Sequence, residues 1–145
     1  MSNNNCRNRY YKSAQTAYNN TAQAYAAAGT QINIEGNLAT NTGCSIDTQT
    51  GGFNINDTGL YRISYNVTHT PSAAGVAIVQ LYNGAGALPC AISQETVAAD
   101  SVYTTHVETV LYLAACCAIR PAISARISGV AGTINHVCAS VVRLA

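Results

Sequence analysis

The chain has 145 residues, of which 48% are hydrophobic and only 9% are charged. This length suits one domain with a core of its own, and a formal net charge of +1 argues against nucleic acid or an anionic membrane as a partner. A net charge near zero also favours association, so the composition favours a protein that packs against copies of itself, with a neutral soluble domain as the alternative.

The first 21 residues differ in composition from the rest. They are rich in Asn and carry three of the seven basic residues. Because few aliphatic side chains occur among them, they cannot build a core alone. We therefore expect residues 1–21 to form an extended connector arm and residues 22–145 to form the domain. The arm would gain order by docking on another subunit through Tyr10, Tyr11 and Tyr18.

From Ala22 onward the pattern predicts short strands separated by turns. Strands are expected around residues 25–28, 32–38, 45–47 and 53–55. The turn at residues 56–59 then opens onto a long strand in which alternate residues are apolar, which is typical of a half-buried strand. The apolar side of this strand carries Tyr61, Ile63, Tyr65 and Val67.

The second half of the chain continues the β pattern. Residues 76–82 are almost continuously apolar, so we expect both faces of that strand to be covered. Asn83-Gly84 is a hairpin turn signal, and further strands are expected at 91–97, 101–115 and 123–127. The last strand, 137–142, is so apolar that it should lie in the middle of a sheet, since an apolar edge would aggregate.

These strands and their spacing predict the fold class. Turns every ~8–12 residues are typical of an antiparallel sandwich or barrel, and no long amphipathic helix pattern competes. No run reaches ~18 apolar residues, so no membrane span is expected. The chain is thus predicted to be all-β.

The sequence offers little for catalysis. Six carboxylates and three histidines are spread along the chain, whereas an enzyme needs ionisable groups in a cluster. His106 and Glu108 share one face of a strand and could touch. The six cysteines lack the spacing of a zinc site. We therefore expect no enzyme activity, no metal and no cofactor.

Three segments resemble a known family. Thr58–Val67, TGLYRISYNV, resembles the G-x-Y-x-I/F-x-Y/F-x-V strand of the tumour-necrosis-factor-like and complement-type globular heads. Residues 81–84 and 139–144 are similar to the next strand and the closing strand of that family. The bacterial branch, which includes exosporium collagen-like glycoproteins and endospore appendage subunits, is the most similar in character, although this chain has no Gly-X-Y stalk.

The resemblance implies a two-sheet antiparallel jelly roll that forms a homotrimer. Tyrosines offer the large apolar area and the hydroxyl groups that such an interface uses, and we expect them to be divided between this interface and the core of the subunit, in an assignment that the sequence leaves open. The candidates for the trimer interface are Tyr61, Tyr65, Tyr82, Tyr103 and Tyr112.

The leading functional hypothesis is a self-assembling structural subunit. Jelly-roll trimers would be joined into a fibre, extracellular or on a spore surface, by the arms and by disulfides between subunits, with a surface anchor or a tip protein as a further partner. Cys6 would bond a thiol on a neighbour; the candidates for these disulfides are Cys6, Cys90, Cys116 and Cys117. The alternatives are a discrete trimeric head that binds a receptor or glycan, and a phage capsid decoration or fibre protein on the virion surface.

Overall fold

The computed structural model describes residues 13–34, 38–116 and 118–145, and all regular elements in this part of the chain are β-strands. Their alternating burial follows from the two-residue period of the sequence. The strands are β1 (Ala14–Asn19), β2 (Gln23–Tyr25), β3 (Thr30–Gln31), β4 (Leu38–Thr42), β5 (Ile46–Gln49), β6 (Gly52–Ile55), β7 (Gly59–Pro71), β8 (Gly75–Asn83), β9 (Gly86–Val97), β10 (Tyr103–Leu113), β11 (Ala122–Ser128) and β12 (Gly132–Arg143).

The strands form two antiparallel sheets. The first sheet has the order β10-β7-β12-β1-β4, and β2 also pairs with β12. The second sheet has the order β5-β6-β11-β8-β9, and β3 also pairs with β11. The predicted all-β, two-sheet antiparallel fold is therefore confirmed.

The core lies between the two sheets. Along β7, Tyr61, Ile63, Tyr65 and Val67 are all fully buried, as the alternation predicts. The second sheet contributes the inward side chains of β8 and β11, which are also fully or almost fully buried: Ala77, Val79, Leu81, Ile123, Ala125 and Ile127. Burial of apolar area of this kind is the main favourable term in folding.

The last strand lies in the interior of the first sheet. β12 pairs with β7 from Gly132 to Arg143 on one side, and with β1 and β2 on the other. Its inward residues Val137, Ala139 and Val141 are buried in the core. The prediction that this apolar strand avoids an edge is confirmed.

Strand β8 differs from its prediction on one face. Its outward residue Val76 is 42% exposed, and outward-facing Ile78 is only half-buried. The expectation that both faces are covered is wrong because, in the part of the chain that the structure describes, the second sheet has protein only on its inner side. Packing in the core therefore accounts for the inward apolar residues of β8 but not for the outward ones, Val76 and Ile78.

The predicted boundary between arm and domain is also corrected. β1 lies inside the expected arm, yet it pairs with β12 from Ala14 to Asn19 and with β4 on its other side. Ala17 is fully buried in the same core as the rest of the sandwich. The folded domain thus includes residues 13–21, and only residues 1–12 of the predicted arm lie outside the described residues.

Candidate self-association surface

The outer face of the first sheet is the broadest candidate surface. The register of β10, β7, β12 and β1 sets its outward side chains in rows across the sheet. One row is Val110, Arg62, Val142 and Ala14; the next is Glu108, Ser64, Ser140 and Thr16; a third is His106, Asn66, Cys138 and Tyr18. Hereafter we call these three rows, together with Tyr112, the outer face.

Small polar side chains make the middle of the outer face flat. The hydroxyl groups of Ser64 and Ser140 lie 2.9 Å apart across β7 and β12. Two rows further along β7, next to the third row of the outer face, the hydroxyl groups of Thr68 and Thr104 lie 3.0 Å apart across β7 and β10. These hydrogen bonds satisfy the hydroxyl groups within the sheet, so another protein surface could cover them at low desolvation cost.

Charged groups form one cluster on the outer face. Glu108 accepts from His106 Nε2 at 3.2 Å and lies 3.9 Å from Arg62 Nε. His106 Nδ1 lies 2.8 Å from Asn66 Oδ1. The predicted proximity of His106 and Glu108 is confirmed, and the cluster carries both signs of charge, so it does not repel a second copy.

The largest exposed apolar side chains of the first sheet are on β10. Tyr112 is 67% exposed and Val110 is 51% exposed. They lie two residues apart on the same side of an edge strand, next to the flat polar row. Aromatic side chains with this exposure are typical anchors of protein interfaces.

Two of the five predicted interface tyrosines are corrected by the structure. Tyr61 and Tyr65 are fully buried in the core of the chain itself, so their side chains cannot contact another subunit. The physical reason is their register with Ile63 and Val67, which places all four inward. The Tyr61 hydroxyl donates to the backbone carbonyl of Asp57 at 2.6 Å.

The other three tyrosines lie in different places. Tyr112 is on the outer face, as described above. Tyr103 is half-buried against the core, and its hydroxyl accepts from the Ala98 amide at 2.7 Å. Tyr82 is on the second sheet, where the Arg126 guanidinium lies 5.0 Å from its ring centroid. A role of these three in a trimer stays a prediction.

The predicted docking tyrosines are only partly described. Tyr18 lies on β1, opposite Cys138 of the same chain, on the outer face. It therefore belongs to the jelly roll and not to a free arm. Tyr10 and Tyr11 lie outside the described residues.

The cysteines fall into distinct groups. Cys90 is an exposed free thiol on β9, and Cys138 is a half-buried free thiol on the outer face. Cys44 and Cys116 each take part in a disulfide bond. Of the cross-link candidates that the structure describes, Cys90 is thus the one with an accessible thiol; Cys6 and Cys117 lie outside the described residues.

Two surface depressions lie among the described residues. A groove of about 510 Å³ is lined by Asn19, Gln23, Asn33 and their neighbours. The side-chain amides of Asn19 and Gln23 are already engaged there, since both donate to the backbone carbonyl of Asn33. A second depression of about 250 Å³ lies between the β5–β6 turn and β11.

Among the described residues, no group of three or more His, Cys, Asp and Glu side chains is arranged to hold a metal ion. Nor does this part of the chain contain a helix of the length and apolar character that crossing a membrane requires.

One buried polar site was missed by the sequence analysis. His69 lies on the buried side of β7, two residues before its end, and is fully buried, with Tyr25 and Thr105 as its hydrogen-bond partners. The signal was present, because His69 continues the inward alternation of Tyr65 and Val67 on the same strand.

The fold is similar to that of known jelly-roll proteins. No protein-family model and no characterised protein sequence matches the chain. Murine APRIL, in a crystal structure at pH 5.0, is 14% identical, with a TM-score of 0.69 over 92% of this chain and all of that one. PRD1 vertex protein P5 is 12% identical, with a TM-score of 0.68 over 90% of this chain and 72% of that one. The globular domain of zebrafish complement 1qA protein is 10% identical, with a TM-score of 0.58 over 88% of this chain and 94% of that one.

At these identities the likeness concerns the fold alone. This chain therefore has the jelly-roll fold of the tumour-necrosis-factor-like and complement-type globular heads, which confirms the coarser part of the predicted resemblance.

Proposed function

We propose that this chain is a non-enzymatic structural subunit that forms a homotrimer through the outer face. The observation that carries the proposal is the outer face itself. Tyr112 and Val110 offer exposed apolar area beside a flat row whose hydroxyl groups are already paired. A surface of this kind loses little on desolvation and gains from apolar burial.

The same proposal extends to assembly of trimers into a fibre, extracellular or on a spore surface. Residues 1–12 would leave the start of β1 and dock on a neighbouring trimer through Tyr10 and Tyr11. Fully extended, twelve residues reach about 40 Å. In an oxidising environment, Cys6 would bond a thiol of the neighbour, and Cys90 is the suitable acceptor because its thiol is free and exposed.

Light scattering and electron microscopy test this function. A chain of 15.1 kDa should give a trimer of roughly 45 kDa as its smallest stable particle, and filaments should form from it. Filaments that survive heating in denaturant only without reductant support the disulfide links. A monomer at micromolar concentration contradicts the trimer, and a trimer that never polymerises contradicts the fibre.

A discrete head on a virion surface is the second candidate. PRD1 vertex protein P5 has a similar fold, which makes such a head a candidate through the fold alone, and a receptor- or glycan-binding head has the same standing. Removal of residues 1–12 separates the two, because a fibre subunit would lose polymerisation whereas a discrete head would keep its mass. The trimer itself is common to both.

A further inference from the structure

His69 lies inside a chain of hydrogen bonds that crosses between the sheets. Its Nδ1 atom is 2.8 Å from the Tyr25 hydroxyl, and its Nε2 atom is 3.0 Å from the Thr105 hydroxyl. Thr105 in turn donates to Glu95 Oε1 at 2.9 Å. The four residues come from β2, β7 and β10 of the first sheet and from β9 of the second sheet, so the chain links the two sheets at one end of the sandwich.

The direction of these bonds fixes the tautomer of His69. The carboxylate of Glu95 only accepts, so the Thr105 hydroxyl donates to it and must accept from His69. Nε2 therefore carries the ring proton and Nδ1 has the lone pair, which accepts from Tyr25. Every donor in the series Tyr25, His69, Thr105 points towards Glu95, and neutral His69 satisfies all of them.

A second proton on His69 conflicts with this arrangement. It would go to Nδ1 and would face the Tyr25 hydroxyl, which now donates there. Burial raises the pKa of Tyr25 to about 12, so the phenol keeps its proton. Burial also lowers the pKa of His69, and the charge of Glu95 opposes that effect only in part.

Among the described neighbours of His69, no charged group besides Glu95 would stabilise the imidazolium. On β10 the Tyr103 ring packs at 6.1 Å between centroids, and on β12 the register partner is apolar Ile134. The charged group that faces His69 is Glu95, one hydroxyl away. A protonated His69 is therefore poorly compensated, and the packing around it has to open.

We propose that His69 is a proton-sensitive latch, which holds β2 and the 98–102 connection against the first sheet when neutral and releases them when protonated. The 98–102 connection is tied to the same place by two bonds. The Ala98 amide donates to the Tyr103 hydroxyl at 2.7 Å, and the Asp100 amide donates to the Pro71 carbonyl at 2.8 Å. Tyr103 packs on His69, so movement of the imidazole disturbs the first of these bonds directly. This inference does not depend on how copies associate.

The sign of the effect follows from linkage. With the pKa of His69 lowered in the folded state, the unfolded chain binds this proton more tightly, so the folded state weakens as pH falls below about 6.5. For one proton, the equilibrium constant for opening rises by at most about tenfold per pH unit.

Hydrogen exchange followed from about pH 7.5 to about pH 5 tests the latch. After correction for the intrinsic pH dependence of exchange, the opening constant of amides in β2 and in 98–102 should rise about tenfold or more, while β7 and β12 amides stay protected. In His69→Gln this rise should vanish, and in the control His106→Gln it should persist. A rise that survives His69→Gln overturns the proposal.

A measurement on the unaltered protein keeps the test decisive should His69→Gln not fold. Ring ¹⁵N shifts report the tautomer and the titration of each histidine. We expect His69 to carry its proton on Nε2 at neutral pH and to take up a second proton only below the usual imidazole range near 6.5. An Nδ1–H tautomer, or a titration near 6.5 without local opening, overturns the latch.

Discussion

Arg143 holds the end of the last strand to the start of the second sheet. Its guanidinium donates to the Ser45 hydroxyl at 3.0 Å and to the Thr58 carbonyl at 2.9 Å, and it lies 4.0 Å from Asp57 Oδ2. The side chain of Arg143 is only 11% exposed. Arg143 thus links the C-terminal end of β12 to the segment that precedes β5.

Loss of Arg143 should therefore be costly. Arg143→Ala removes this donor from the Thr58 carbonyl and this ion-pair partner from the Asp57 carboxylate, and we expect the free energy of unfolding to fall by about 2–4 kcal/mol. The matched control is Arg120→Ala, because Arg120 is exposed; it should change stability by less than about 0.5 kcal/mol. Denaturant titration of both variants measures the difference, and equal losses would contradict the role of Arg143.

Two core tyrosines on one strand should respond to the same substitution in opposite ways. The Tyr65 hydroxyl is buried and has no hydrogen-bond partner among the described residues, whereas the Tyr61 hydroxyl donates to Asp57. Tyr65→Phe removes an unpaired polar group and should be neutral or stabilise by about 1 kcal/mol; Tyr61→Phe should cost about 1 kcal/mol. Thermal unfolding of the two variants shows whether each substitution raises or lowers the stability. A loss of stability in Tyr65→Phe would contradict the conclusion that the Tyr65 hydroxyl is unpaired.

At the scale of the element, the alternation of apolar and polar residues predicted some strands and gave no indication of others. β7 was predicted because Ile63 and Val67 alternate with polar residues; the same alternation put Tyr61 and Tyr65 on their side of the strand, and the structure shows that this side faces the core. β1 was missed because its inward positions include Gln15 and Asn19, which are buried yet polar. These side chains are satisfied by neighbours far along the chain, for example Gln15 by Thr48 at 2.6 Å, and no local pattern reveals such partners.

The outer face likewise has some features that the sequence predicts and others that it does not. Alternation places Glu108 and Tyr112 outward on β10, and the proximity of His106 and Glu108 follows from their spacing on one strand. The rows across β7, β12 and β1 depend on register, which long-range pairing sets. For the same reason, the link from His69 to Tyr25, a residue 44 positions away, could not be read from the sequence.

Two truncations test whether β1 belongs to the domain. Removal of residues 1–12 keeps the pairing of β1 with β12 and β4, so the jelly roll should fold with unchanged cooperativity. Removal of residues 1–21 takes β1 away and exposes the apolar edge of β12, so this variant should aggregate or lose its cooperative transition. Circular dichroism melts and size-exclusion profiles compare the two; a stable, monodisperse second truncation would return residues 13–21 to the arm.

At the scale of the whole molecule, each sheet has an outer side that the described part of the chain leaves uncovered. On the second sheet this side carries Val76, at 42% exposed, and Ile92, at 40% exposed. On the first sheet it carries Tyr112 at 67% exposed. The two sides are opposite faces of the sandwich, so substitutions on one leave the other intact.

This separation gives a matched test of the proposed trimer. Tyr112→Glu places a charge where the outer face should meet its neighbour, and we expect trimer affinity to fall by about 30-fold or more, since loss of an interface anchor costs about 2 kcal/mol or more. Ile92→Glu makes the same kind of change on the second sheet and should leave the trimer intact. Sedimentation across a concentration series measures both affinities, and circular dichroism checks that both variants fold. The reverse outcome, in which Ile92→Glu dissociates the particle and Tyr112→Glu does not, would move the interface to the second sheet.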